Sequence, residues 1–146
     1  MDSISKWAQF FGRIALGAIF LVSGLGKLAA WHGTAAYAGS KGVSEVLLAI
    51  ATVLELLGAV SVMVGFRARW GALALLVFLV PVTLVFHNFW AAPAAQQQME
   101  MAQFLKNLSI GGGLLIVFGR GAGALSIDSS QTPARGEPVA ATRAAQ

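Results

Sequence analysis

The chain has 146 residues, 57% of them hydrophobic and only 11% charged, with 17 glycines, no cysteine and a net charge of +4. Soluble domains carry about a quarter charged residues and disordered chains combine high charge with few apolar residues, so neither class fits. The missing cysteines also exclude disulfide frameworks and cysteine-ligated zinc or iron–sulfur centres.

What remains is a small integral membrane protein of one domain, whose apolar runs must each supply about 20 residues to cross about 30 Å of hydrocarbon. The first run, WAQFFGRIALGAIFLVSGLGKLAAW, predicts a helix over 7–30. It is too long for a cleaved signal and ends without a small-x-small cleavage site, so it is expected to be retained. Residues 32–44 read as an outer loop with Tyr37 and the breakers Gly39 and Gly42, and Ser44 suits an N-cap. The second helix, 45–66, carries Glu55 deep inside it. A tight turn at 66–69 makes it the antiparallel neighbour of a third helix, 70–90, which contains no formal charge, His87 near its end and Pro81 as an expected kink. Residues 91–103 read as a short interfacial helix begun near Pro93. The fourth helix, 104–120, starts with Lys106 and Asn107. It contains Gly111, Gly112 and Gly113, which read as close-packing residues because no strand precedes them and no Gly-Lys-Ser/Thr follows. From 126 to 146 the sequence is polar and aperiodic, as in a disordered tail. The expected fold is therefore an all-α membrane protein, a four-helix transmembrane bundle over 1–125.

Lys and Arg set the orientation. Lys6, Arg67, Arg69, Arg120, Arg135 and Arg143 fall on one side, with Arg13 near it, against Lys41 and the helix-end Lys27 and Lys106 on the other. The bias predicts both termini in the cytoplasm, with Trp7, Trp31, Trp70 and Trp90 at the interfaces. This asymmetry accounts for the pI of 10.1. No basic patch interleaved with stacking aromatics points to nucleic acid.

Chemistry must lie in the polar groups within the spans, because each is costly there and turns toward the bundle interior. Arg13, Gly17, Phe20, Gly24 and Lys27 recur at helical spacing on one face of the first helix, and Ala51, Glu55, Gly58 or Ala59, and Val62 on one face of the second. Two small-residue faces of opposite charge should pack together. Glu55 lies about 15 Å from the outer end of its helix, and Arg13 about 9 Å from the inner end of its own. Arg13 is therefore the expected partner of Glu55, either as a structural ion pair or as a proton or ligand site. A second constellation is expected at the outer leaflet, where Lys27, His87, Lys106 and Asn107 can reach one level. Two lysines would keep His87 neutral there, and a carbonyl, a phenolate or a quinone head group would suit the pocket. The plainer reading is that the lysines snorkel to lipid phosphates. One internal carboxylate and two separated histidines form no metal site of recognisable spacing. No nucleophile–base–orienter set appears, so no catalytic residue is assigned.

Four blocks together, RIALGAIFLVSGLGKL, the ELLG of Glu55 to Gly58, FHNFW at Phe86 to Trp90, and FLKNLSIGGGLL at Phe104 to Leu115, resemble the DoxX family of small bacterial membrane proteins. The resemblance runs from Arg13 to Asp128 and departs at Ser44, where a proline is expected. It implies a multi-pass inner-membrane bundle of four helices with cytoplasmic termini, and it marks Arg13, Lys27, Glu55, His87, Lys106 and Asn107 as the characteristic polar positions. It further implies an accessory or quinone-interacting subunit of a membrane redox system, working with a redox partner protein or as a homo-oligomer. The alternative it implies is a non-catalytic membrane binding or assembly protein.

Overall fold

The computed structural model describes residues 3–130. Six α-helices follow in order: α1 Ser3–Ala29, α2 Trp31–Ser40, α3 Glu45–Val64, α4 Ala68–Phe86, α5 Ala94–Arg120 and the single turn α6 Ile127–Ser130, with a 3₁₀ turn at Phe89–Ala91. Among the described residues, α1, α3, α5 and the segment from Ala68 to Ala91 are long and apolar enough to cross a membrane. They pack in the order α1–α3–α4–α5, and α1 and α5 meet only loosely, leaving a seam between them. We call the end at which α3 turns into α4 the basic end, since Arg67, Arg69 and Arg120 lie there.

The distribution of side chains is that of a membrane protein. Large apolar residues such as Val22, Val46, Leu57 and Val77 face outward, while Arg13, Thr52, Glu55, Thr83 and Asn107 are buried. Lipid tails are as apolar as a leucine core, so close packing and internal hydrogen bonds hold such a bundle together. The glycines of the helix faces provide the close packing. A Cβ on Gly17 would meet Ala59 O at 2.9 Å, and one on Gly58 would meet Leu75 Cγ at 2.8 Å. The buried residues of α1 are Arg13, Gly17, Phe20 and Gly24, as the helical spacing requires, and those of α3 include Glu55, Gly58, Ala59 and Val62. In α5, Gly113 lies against Leu16 and Gly111 against Leu79, but Gly112 has an open surface and takes no part in packing.

Three expectations change. Residues 32–44 are largely helix: α2 buries Ala38, sets the Tyr37 ring 5.5 Å from Phe86, and is tied to the start of α3 by Trp31 Nε1 donating to Glu45 Oε1 at 2.7 Å. Glycine and serine lower the intrinsic helix preference of this stretch, and tertiary contacts override it. Ser44 does cap α3, accepting from Leu47 N. The expected interfacial helix at 91–103 is not separate, because α5 begins at Ala94 and runs unbroken to Arg120.

The third change concerns the tail. Residues 126–130 dock on the basic end, where Asp128 accepts from Arg67 N at 2.6 Å and Ala68 N at 3.0 Å, and Asp128 N donates to Gly65 O. The rest of the expected tail, 131–146, lies outside the described residues. Arg67 itself has φ 48° and offers no side-chain cap, so a carboxylate sixty residues distant supplies the cap and meets the positive end of α4. Asp128→Ala should therefore lower stability by about 1 kcal/mol in detergent unfolding. It should also speed amide exchange at 66–69 while leaving the α1–α3 contact protected; unchanged exchange there would refute the capping role.

Candidate functional site

Glu55 is 1% exposed, and its partner is Lys27, whose Nζ donates to Glu55 Oε2 at 2.6 Å and to Ser23 Oγ at 2.8 Å. The expected Arg13–Glu55 pair does not form. Two geometric facts decide this. Helical side chains lean toward their own N-terminus, so Lys27 leans back into the bundle while Arg13 leans away from Glu55. Glu55, on an antiparallel helix, leans toward Lys27. Gly24 lets α3 come close at this level, since a Cβ there would meet Leu56 Cδ2 at 2.6 Å. The ammonium also sits 5.3 Å from the centre of the Phe78 ring, which packs edge-on against Phe20. One cation thus links α1, α3 and α4.

Arg13 serves the basic end instead. It is buried, Nη1 donates to Val62 O at 3.4 Å, and Nη2 donates to Leu125 O. Among the described residues its Nε finds no hydrogen-bond partner. The guanidinium passes beside Gly65, whose φ of 70° ends α3 in the left-handed region. Arg13 thereby joins α1, the end of α3 and the segment leading to α6.

The four residues expected at one outer-leaflet pocket go to separate places. Lys27 turns inward to Glu55. Asn107 is buried and donates from Nδ2 to Thr83 Oγ1 at 3.0 Å, and Thr83 in turn donates to Leu79 O. Lys106 is exposed on α5 and donates to Gln103 within its own helix. The part-exposed His87 ends α4 with Nδ1 2.8 Å from Glu100 Oε2, so its neighbour is a carboxylate rather than an ammonium. Sequence reasoning missed Glu100 because residues 91–103 were assigned to a separate element. The signal was available: Glu100, Gln103 and Asn107 are spaced 3 and 4 apart on one helical face. Beside the His87–Glu100 pair, the rings of Phe89, Trp90 and Phe104 lie edge-on to one another at 5.2–5.9 Å. Among the described residues no group of three or more His, Asp or Glu could hold a metal ion.

The DoxX family profile matches residues 8–88. The chain is 33% identical over 128 residues to the inner membrane protein YqjF of Escherichia coli (strain K12), covering 88% of this chain and 95% of that protein. The chain belongs to the DoxX family. It is also 32% identical over 118 residues to the inner membrane protein YphA of the same organism, covering 80% of this chain and 84% of that protein. The ER-derived vesicles protein ERV29 of Saccharomyces cerevisiae is 30% identical over 79 residues, which are 54% of this chain and 26% of that protein. No solved structure matches. With four membrane-length helical segments among the described residues, this DoxX protein is a multi-pass inner membrane protein. The DoxX match takes in Arg13, Lys27, Glu55 and His87 and stops short of Lys106 and Asn107.

Proposed function

We propose that the chain acts as a non-catalytic binding and assembly subunit of the inner membrane, with both termini in the cytoplasm. The observation that supports this reading is the internal use of the polar groups: Lys27 with Glu55, Asn107 with Thr83, and Arg13 with the Val62 and Leu125 carbonyls each fasten one element to another. Outward, the helices present apolar surface to lipid or to a partner, which can be a redox protein or a second copy of this chain. The orientation rests on the positive-inside bias of Arg67, Arg69 and Arg120. Because the chain has no cysteine of its own, Lys41→Cys should be labelled by a membrane-impermeant maleimide in intact spheroplasts and Arg69→Cys only after lysis. The reverse pattern would overturn the orientation.

A quinone-interacting accessory role in a membrane redox system draws support from one arrangement, the part-exposed His87–Glu100 pair beside Phe89, Trp90 and Phe104. An imidazole oriented by a carboxylate can hydrogen-bond a quinone carbonyl, and aromatic rings suit a flat head group. The electrons would come from a partner. Native mass spectrometry from lipid nanodiscs, with organic extraction, separates the two readings. The assembly reading expects no retained quinone, and a pattern of co-purifying protein that His87→Ala leaves unchanged. A quinone retained by the wild type and lost on His87→Ala would replace it with the redox reading.

A further inference from the structure

Two cavities adjoin at the basic end. The first, about 460 Å³, is lined by Arg67, Arg69, Arg120, Trp70 and Asp128 among others. The second, about 290 Å³, lies in the seam between α1 and α5 against Leu16, Ile116 and Val117, with the buried Arg13 in its wall. Arg120 and Gly121 line both, so the charged cavity and the apolar seam meet at these two residues.

The charges in the first cavity do not cancel. Three guanidiniums face one carboxylate, and that carboxylate accepts from two amides at the start of α4. Among the described residues the Arg69 and Arg120 side chains form no ion pair or hydrogen bond. Guanidiniums are weakly hydrated and match phosphate oxygens two at a time. Trp70 is 69% exposed on the same wall, an amphipathic ring at the level where head groups lie. The seam adds the complementary property: beside Arg13 its wall is mostly apolar, and it opens toward lipid because α1 and α5 meet only loosely. A molecule that satisfies both cavities needs a phosphate at one end and a hydrocarbon chain at the other.

We propose that the basic end is a binding site for an anionic phospholipid, its phosphate held by Arg69, Arg120 and Arg67 and one acyl chain laid in the α1–α5 seam. The assignment stands independently of the assembly and redox readings. A bound chain in the seam closes the one weak side of the bundle, so the lipid becomes part of the packing.

The test is native mass spectrometry of the full chain titrated with phosphatidylglycerol and with phosphatidylcholine. Wild type should retain phosphatidylglycerol preferentially. Arg69→Gln/Arg120→Gln should weaken that lipid about 25-fold, since each near-surface arginine contributes about fivefold, and should leave phosphatidylcholine unchanged. Both side chains are exposed, so circular dichroism should show an intact bundle; were it not intact, the wild-type preference between the two lipids still decides. Glycerol 1-phosphate, which carries the head group without the chain, should bind about 200-fold more weakly even if only four methylenes are buried. Equal retention of the two lipids by wild type, or no change in the folded double variant, overturns the proposal. Binding of glycerol 1-phosphate as tight as that of the lipid would show a phosphate site without a lipid role and overturns it as well.

Discussion

Lys27→Met should destabilise the bundle by about 3–5 kcal/mol, because it leaves a carboxylate that is 1% exposed without its counter-charge. Glu55→Gln should cost less. The Lys27 side chain is 22% exposed and can swing toward the interface once its partner is neutral. Replacing both, Lys27→Met with Glu55→Leu, should recover most of the loss, since an apolar pair of similar volume avoids desolvating two ions. Thermal unfolding in detergent, followed by circular dichroism, measures all three. A double variant that loses as much as the two single losses added together would show that the pair is not coupled as its 2.6 Å separation implies, and equal single losses would refute the escape of Lys27 to the interface. A double variant that folds well but loses a cellular phenotype would assign the pair a use beyond holding α1 on α3.

Gly65→Ala should cost about 2–5 kcal/mol, from two causes that add. A non-glycine residue in the left-handed region is strained by about 1–2 kcal/mol, and φ at Gly65 is 70°. The new methyl group would also collide with the Arg13 guanidinium and with Ser126 Cβ, displacing a buried cation from the Leu125 carbonyl. Loss of such a charged hydrogen bond adds about 1–3 kcal/mol. The two causes are separable by hydrogen exchange: the strain acts at 64–67, whereas displacement of Arg13 frees the amides of 126–130. Gly65→Ala in an Arg13→Met background should then retain the strain and the Ser126 contact but lose the part that comes from displacing Arg13. A full additive loss in that double variant would sink the account.

Much of the bundle is legible in the sequence because hydropathy and small-residue spacing act locally. The faces of α1 and α3 follow from a period of 3.6 residues, and the Ser44 cap from a side chain three residues from its donor. The Lys27–Glu55 pair was not legible from depth alone. Counting rise along the axis ignores the lean of side chains toward the helix N-terminus, which shifts both α1 cations toward the basic end, bringing Lys27 to the level of Glu55 and taking Arg13 away from it. The outer-leaflet quartet failed for a related reason: similar height does not mean a shared face, and α5 turns Asn107 inward while Lys106, next in sequence, points out. Asp128 was invisible because its partners, the amides of Arg67 and Ala68, carry no side-chain signature and lie sixty residues away.

That last contact bears on how the chain matures. The α3–α4 turn is short and can form as soon as its own residues are in the membrane, but its cap comes from a carboxylate translated after every spanning helix is complete. Contacts of large sequence separation close late, because the intervening loop must first lose its freedom. The docking of Asp128 and Leu125 on Gly65, Arg67 and Arg13 is therefore a final latch. It can form only once α5 has been translated, and it then ties the chain beyond α5 back to α1, α3 and α4.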